Sequence, residues 1–250
     1  MYEIPNARMH PDFADCWRAA GIHLQNRVQG KLSWLRANLD GPALEHLSFR
    51  MGNQLFFIRV EDVQGNVIGP GSLEGLLTVS DACEGVPCVM PMQLRQGRWE
   101  PAEPAWGLIH AKTNAPVDPI TLVTDAKIEM TAWELHDFAV QVVRDTLSKQ
   151  GKKITSTLSD PSVNPSIWLR DDGGLEYVIV RAARHPASPP PLPEIVDAIV
   201  ESCKKHSRKG HYAPVVVANS DDPFAPNGEG ALPLWRGHAL IARFNGLEAL

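Results

Sequence analysis

The amino-acid sequence predicts an α+β / α/β protein in two parts, over residues 1–128 and 129–250. Its 250 residues are 44% hydrophobic and 21% charged, which is typical of a folded chain that can bury one large core or two. In the first part, short apolar runs between turn residues predict antiparallel strands with a few helices. In the second part, the pattern predicts helix, three strands, helix and strand, an αβββαβ order. No repeat period is evident.

The first part begins with a helical pattern over about 12–39, in which Gly21 and Gly30 leave room for two shorter helices. A β-hairpin follows, because the runs LEHLSFR and QLFFIRVEDV flank Gly52 and Asn53, which are suited to the positive φ of a tight turn. After a short helix in SLEGLLTVSDAC, the segments VPCVMPMQL and RWEPAEPAWGLIHA predict further antiparallel strands broken by prolines. We therefore expect a predominantly antiparallel sheet.

The second part has the clearest helix signal. Thr131 and Glu134 have the spacing of a capping box, the apolar residues that follow recur at helical spacing, and Gly151 is a stop signal, so we predict a helix over 132–149. Strands are predicted in KITSTL, SIWLR and LEYVIVRA, and a second helix in PLPEIVDAIVESCKKHSRKG, which ends at Gly210. The apolar run YAPVVVAN predicts the last core strand, and GHALIARF could extend the sheet.

Composition and charge limit the classes of function. The net charge of −5 argues against a broad basic face, so we expect no direct nucleic-acid partner, and it leaves room for a basic protein partner. The four cysteines are widely spread, which favours reduced thiols. No apolar run has the length of a signal peptide or a membrane span, so we expect a cytoplasmic protein without a membrane partner.

No motif for a metal, a cofactor or a catalytic nucleophile stands out. Four residues separate Cys83 from Cys88, which is the outer limit of zinc-ligand spacing, and no second pair is near in sequence. The HExxH, GxSxG, P-loop and dinucleotide-binding patterns do not occur. The basic run KKHSRKG at 204–210 fits a helix end that compensates the helix dipole better than it fits a phosphate site. We therefore expect no metal and no cofactor.

The αβββαβ order over residues 131–218 resembles the core of the restriction-endonuclease-like PD-(D/E)XK superfamily. Members of that family carry an acid at the start of the second core strand and an acid-x-Lys pair on the third. These residues converge on Mg²⁺, which activates water and neutralises the phosphate during phosphodiester hydrolysis. The resemblance therefore implies a place where metal ligands should stand.

In this chain those places hold other residues. Pro165-Ser166 stands where the first acid would be, Ile179 where the third-strand acid would be, and Arg181 where the lysine would be. Strand alternation puts Ile179 and Arg181 on the same face. The acids that remain are on the first helix: Glu134 and Asp137. The resemblance thus implies a nuclease-like core that lacks its metal ligands.

A core of this kind in an acidic chain resembles bacterial immunity proteins that neutralise nuclease toxins, including toxins delivered by type VI secretion. The resemblance implies a protein that is not an enzyme. Its acidic side chains would meet the basic substrate groove of a cognate toxin, and aromatic side chains in loops would supply anchors. The expected partner-binding residues are Glu100, Glu103, Trp106, Asp118, Asp221, Asp222, Phe224 and Glu229.

Other classes of function stay open at this point. One is an active enzyme, either a divergent metal-dependent nuclease that uses Glu134 or a hydrolase whose residues converge only in three dimensions. Another is a structural adaptor of a secretion or defence system. An ordinary β-hairpin is the simplest structural interpretation of Asn164–Ala182.

Overall fold

The fold is that of a computed structural model, which describes residues 11–30, 32–36, 46–69, 71–171, 173–224 and 231–250. The chain divides into two compact units between Ile128 and Glu129. We call Pro5–Ile128 the N-unit and Glu129–Leu250 the C-unit. Both units combine helices with a mixed sheet, so the protein is α+β.

The elements of the N-unit alternate between short helices and strands. They are α1 (Pro11–Gln25), β1 (Ser33–Arg36), β2 (Leu47–Met51), β3 (Gln54–Asp62), α2 (Leu73–Ala82), β4 (Val86–Arg95), β5 (Arg98–Pro101), β6 (Ile109–His110) and α3 (Pro119–Leu122). Ser72 starts α2 as its N-cap, because its hydroxyl accepts a hydrogen bond from the Gly75 backbone N–H. The predicted β2–β3 hairpin and the predicted helix α2 are both confirmed.

The C-unit begins with the longest described helix. Its elements are α4 (Ala132–Lys149), β7 (Lys153–Thr157), β8 (Ile167–Asp171), β9 (Gly174–Arg184), α5 (Val196–Cys203), β10 (Gly210–Asn219), β11 (Leu240–Phe244) and β12 (Glu248–Ala249). The capping box of Thr131 and Glu134 is present at the start of α4, and the predicted helix over 132–149 is confirmed.

Each unit has one sheet that is antiparallel except at its centre. Among the described residues the strand orders are β1-β2-β3-β4-β5, with β6 beside β4, and β7-β8-β9-β10-β11, with β12 beside β10. Of the strand pairs in the described part of the chain, only β3–β4 and β9–β10 are parallel. Parallel neighbours need a crossover connection, and α2 and α5 lie in those connections. The antiparallel pairing expected of the first part is therefore correct for every pair except β3–β4.

The central hairpins of the two units have the same register. Two residues separate Met51 from its partner Gln54, and two separate Asp171 from its partner Gly174. Counted from these turns, the eighth residue of β3 pairs with a proline of β4, and the eighth residue of β9 pairs with a proline of β10. The two pairs are Glu61 with Pro91 and Arg181 with Pro214.

The outer strands repeat the same registers. The short strand β6 pairs with Cys88 and Val89 of β4, and β12 pairs with His211 and Tyr212, the residues of β10 at the same positions. The first strand of each sheet also carries an irregularity at the same step, after Trp34 in β1 and after Ile154 in β7. The chain therefore contains one arrangement twice, although its sequence shows no repeat period.

The apolar faces of the helices explain the packing within each unit. In the N-unit, α1 buries Phe13 and Trp17 in a core that includes Phe49 and Met90. In the C-unit, α4 buries its apolar stripe against one face of the sheet, and α5 packs on the other face, where Tyr177 and Ile179 are buried. A sheet covered on both faces explains why β9 is apolar along most of its length.

The first helix is shorter than the sequence predicts. The sequence pattern predicts helix over 12–39, but α1 ends at Gln25 and residues 33–36 form the strand β1. The Gln25 side chain stabilises this change of direction, because its amide donates to the Gly30 carbonyl and its oxygen accepts from the Leu32 N–H and the Trp34 indole. Gly30 has a φ of 108°, which a helix does not allow.

The last helix is also shorter than predicted. The prediction ended it at Gly210, whereas α5 ends at Cys203 and Gly210 is already in β10. The chain turns after Cys203 because Ser207 bonds to the β9 backbone: its hydroxyl donates to the Leu175 carbonyl. The strand pairing that follows therefore stops the helix. No helix in the described ranges is long and apolar enough to cross a membrane.

Gly210 tests the tight packing at the start of the parallel pair. A Cβ at this position would lie 2.4 Å from the ring of Tyr177, which is fully buried and has no room to move. We predict that Gly210→Ala lowers the free energy of unfolding by about 1–3 kcal/mol. Gly21→Ala is the matched control, because a Cβ there meets no atom within 4 Å and Ala favours a helix. Urea unfolding of both variants checks this, and equal stability would contradict it.

Candidate functional site

The candidate site lies at the carboxyl ends of the parallel strands β9 and β10. In sheets of this kind, ligands bind at this edge because the loops that leave neighbouring strands meet there. The chain that leads into α4 also contacts this edge of the C-unit sheet. The Met130 N–H donates to the Leu234 carbonyl at 2.8 Å, and the Arg184 guanidinium donates to the Met130 carbonyl. Of the residues that the nuclease resemblance singled out, Glu134 is in the first turn of α4 at this edge. Ile179 pairs with Tyr212 and lies nearer the amino end of the parallel pair.

Both carboxylate oxygens of Glu134 accept hydrogen bonds from groups of the C-unit. Oε2 accepts from the Thr131 N–H at 2.8 Å, and the two oxygens accept from Nε and Nη2 of Arg236 at 2.9 and 2.8 Å. The side chains are almost fully buried, with 9% of Glu134 and 1% of Arg236 exposed. A bidentate pair of this kind fixes both side chains, and the positive guanidinium beside the carboxylate disfavours a metal cation there.

At the two positions where the resemblance led us to expect acids, the side chains are part of the interior of the unit. Ser166 is buried, and its hydroxyl accepts a hydrogen bond from the Val180 N–H at 3.3 Å. Ile179 is fully buried under α5. Neither side chain is a ligand that Mg²⁺ prefers in proteins.

Arg181, at the position of the lysine, bonds to oxygen atoms of its own unit. Nη2 donates to Oδ1 of Asn164 at 2.9 Å, and Nη1 donates to the Val180 carbonyl at 2.7 Å. Burial lowers the pKa of Arg181, and the nearby Tyr212 opposes this shift. The guanidinium therefore ties the loop before β8 to the end of β9, and both of its Nη atoms are in use.

His136 is a buried group at this edge that the sequence did not single out. Only 3% of it is exposed, and its Nε2 has no hydrogen-bond partner among the described residues. Burial is the main cause that lowers the pKa of His136 to about 4, and Arg181 adds to it, while Asp137 and Asp160 oppose it. The imidazole is therefore neutral near pH 7. Its neighbour Asp137 is also buried, and its Oδ2 accepts from Nε2 of Gln141 at 2.6 Å.

The described residues contain no group of three or more His, Cys, Asp or Glu side chains that could hold a metal ion. Cys83 and Cys88 are buried thiols that form no disulfide bond, and burial raises the pKa of Cys88 to about 12. A thiol with so high a pKa is a poor metal ligand and a poor nucleophile. Among the described residues, the arrangement at the edge therefore holds charged groups in fixed positions and contains no cluster of metal-ligating side chains.

Three of the expected partner-binding residues follow β10 at the same edge. Asp221 is exposed and Asp222 half-buried, and the turn is held by Asn219, whose Oδ1 accepts from the Asp221 N–H at 3.1 Å. The ring of Phe224 lies 4.0 Å from the Arg243 guanidinium carbon and 5.4 Å from the His185 ring. The structure thus brings two acids and an aromatic ring together in one short segment. Glu229 lies outside the described residues.

The other expected residues lie in the N-unit and differ in exposure. Glu103 is exposed in the turn after β5, and Asp118 is exposed as the N-cap of α3, where its side chain accepts from the Ile120 N–H. Glu100 pairs with Arg95 at 3.2 Å. The prediction that Trp106 is an exposed anchor for a partner is wrong, because its side chain is only 5% exposed and belongs to the N-unit core. Its large apolar ring is therefore used for packing.

Comparison with known proteins finds one similarity, which covers most of the C-unit. Residues 133–250 match the model of a family described as a domain of unknown function, DUF8840. No curated protein matches the chain, and no solved structure matches it. The matched region begins in the first turn of α4 and includes every residue of the candidate site except Met130 and Thr131.

The Glu134–Arg236 pair gives a stability prediction. Glu134→Gln leaves the Arg236 guanidinium charged and almost fully buried, so we expect the free energy of unfolding to fall by about 3–5 kcal/mol. Glu201→Gln is the matched control, because Glu201 pairs with Lys204 on the surface and its loss should cost less than about 1 kcal/mol. Urea unfolding distinguishes the two. Similar losses would show that Glu134 is not structural and would make it available for chemistry.

His136 gives a prediction for pH. Its pKa is about 4 in the folded state against an ordinary 6.5, so below pH 6.5 the unfolded chain binds a proton that the folded chain does not. Stability from this group is therefore full above pH 6.5 and is lost between pH 6.5 and 4, by up to about 3 kcal/mol. His136→Gln should reduce the difference in unfolding free energy between pH 7 and pH 4.5. An equal difference in the native chain and in this variant would contradict the prediction.

Proposed function

We propose that this chain is a non-catalytic immunity protein that binds and neutralises a cognate toxin, a nuclease effector of the type VI secretion kind. In this proposal the C-unit is a restriction-endonuclease-like core that has kept its architecture and lost its metal ligands. The protein acts in the cytoplasm, where a nuclease would reach its substrates, and it works by stoichiometric binding.

The strand arrangement supports the nuclease-like core. The order α4, β7, β8, β9, α5, β10 is αβββαβ, with three antiparallel strands followed by one that runs parallel to the third. The N-unit repeats this arrangement. At the positions of its third strand, β3, that correspond to Ile179 and Arg181, the N-unit has Arg59 and Glu61. These two side chains form an ion pair with each other at 2.6 Å. Neither unit has the acid-x-Lys pair.

One observation carries the proposal: every position that a nuclease would use is occupied by a structural contact. Ile179 is buried, Ser166 and Arg181 bond within the unit, and both oxygens of Glu134 are held by Arg236. A metal ion would need carboxylate oxygens with free lone pairs. The core therefore favours a role in recognition over a role in hydrolysis.

The segment Asp221–Phe224 is the surface we assign to the toxin. Asn219 holds its backbone, and Phe224 is held between Arg243 and His185, so the two carboxylates are presented by an ordered turn. Preordered groups lose less entropy on binding. Acidic groups would speed the encounter with a basic groove, and the aromatic ring would slow dissociation. Glu100, Glu103 and Asp118 are the acids that the N-unit would contribute.

Charge reversal in this segment tests the proposal. We expect the full chain to restore growth of cells that express the toxin encoded by the neighbouring gene, and to bind the purified toxin. Asp221→Lys with Asp222→Lys should weaken binding roughly 10-fold or more and abolish rescue, because like charges would then face a basic groove. Calorimetry and a growth assay measure these two effects.

Glu194→Lys with Asp197→Lys is the matched control, since both residues are exposed in the same unit and the change in net charge is equal. This variant should bind and rescue like the native chain. If both double variants weaken binding equally, net charge is responsible and the segment is not the site. If the native chain neither binds nor rescues, the proposed function is wrong.

A further inference from the structure

A cluster of cations lies at the opposite end of the C-unit sheet, around the turn between β8 and β9. Three stretches of chain meet there, 149–153, 168–176 and 201–211. The Lys152 ammonium contacts Asp171 at 2.6 Å, and the Tyr177 N–H donates to the Lys209 carbonyl. Their basic residues are Lys149, Lys152, Lys153, Arg170, Lys204, Lys205, Arg208 and Lys209, against the acids Asp171, Asp172, Glu176 and Glu201.

The described acids at this end are already paired. Asp171 bonds to Lys152, Glu201 to Lys204, and Glu176 to Lys209 and His211. The fourth acid, Asp172, lies outside the described residues. The remaining cations form no ion pair with any described residue, and four of them are exposed near α5 and β8: Lys153, Arg170, Lys205 and Arg208. This end of the unit therefore carries a local excess of positive charge.

Lys153 and Arg170 are direct cross-strand partners. Residues paired in this way have Cβ atoms roughly 5 Å apart, and like charges at that distance destabilise a sheet. The fold thus holds two cations side by side, Lys153 on the edge strand β7 and Arg170 on its neighbour β8. An uncharged polar residue would fit the exposed surface at either position. The sheet itself gains nothing from this pair.

An aromatic side chain lies on the same face. Trp168 is two residues before Arg170 in β8, so both point to the α5 side of the sheet. The Trp168 ring is half-buried, and its neighbours are Tyr177 at 5.7 Å and the exposed His206 at 5.9 Å between ring centroids. We call the set Lys153, Trp168, Arg170, Lys205, His206 and Arg208 the basic patch.

We propose that the basic patch binds the phosphate backbone of a nucleic acid, without reading its sequence. Cations combined with an aromatic ring are the usual composition of such surfaces, because the cations contact phosphates and the ring stacks on a base. The net charge of −5 led to the opposite expectation, but net charge averages over the molecule and this patch is a local exception. The inference goes beyond the proposed function and does not depend on it.

Fluorescence anisotropy with a labelled 20-nucleotide oligothymidine tests this site in the full chain. We expect binding that weakens as salt rises from about 50 to about 200 mM, since bound counterions are released from the strand. Lys153→Gln with Arg170→Gln should weaken binding roughly 10-fold. It should also reduce the slope of log affinity against log salt concentration by the amount expected for about two phosphate contacts. Quenching of tryptophan fluorescence should accompany binding and should decrease in Trp168→Phe.

Arg98→Gln with Lys112→Gln is the control, because it removes the same charge from exposed positions of the N-unit. This variant should bind like the native chain. The double variant of the basic patch should be at least as stable as the native chain in urea, since it removes a repulsion. Toxin rescue should also be unchanged, which separates this site from the proposed function.

Three results would overturn the inference. The first is no binding of oligothymidine tighter than about 1 mM at low salt. The second is equal loss in the patch and control variants, which would assign binding to overall charge. The third is competition by polyglutamate as effective as competition by unlabelled oligothymidine, which would indicate an acidic protein as the partner.

Discussion

In the C-unit, β9 and β10 run in the same direction over eight paired residues, from Tyr177 with Gly210 to Arg184 with Val217. Parallel neighbours cannot be joined by a tight turn, so the chain must cross one face of the sheet between them. The helix α5 lies in this crossover and buries that face, while α4 covers the other. The position of every loop at the two ends of the sheet follows from this one pair. The N-unit meets the same constraint with β3, α2 and β4.

The parallel pair also determines which side chains gather at each end of the strands. At the carboxyl ends, the start of α4 meets the loops before β8 and after β10, and the polar groups there bond to one another. Buried polar groups must find partners, because an unpaired one costs free energy. Most of the described polar groups at this edge have partners within the unit, and Nε2 of His136 is an exception. At the amino ends the described acids are paired and cations remain.

Much of the fold could be predicted from local patterns. The capping box of Thr131 and Glu134 and the Gly52-Asn53 turn involve residues close in sequence, and both were predicted correctly. The ends of α1 and α5 were not, because side-chain hydrogen bonds that local patterns do not reveal stabilise the turns after them. The Gln25 side chain bonds to residues five to nine positions later after α1, and the Ser207 hydroxyl bonds to β9 after α5. The internal repeat was also not visible. The two units share strand registers and burial, and few identical residues: Pro91 and Pro214 are among the few that match.

Less of the candidate site could be predicted. The sequence did not indicate that Arg236, 102 positions away in the chain, holds Glu134. Burial of Trp106 and His136 was likewise beyond local patterns. The most direct test of a core that binds without cutting is incubation of the purified full chain with plasmid DNA and RNA, with Mg²⁺ or Mn²⁺. Our account predicts no metal-dependent cleavage. Cleavage that EDTA stops and that Asp137→Asn removes would contradict it.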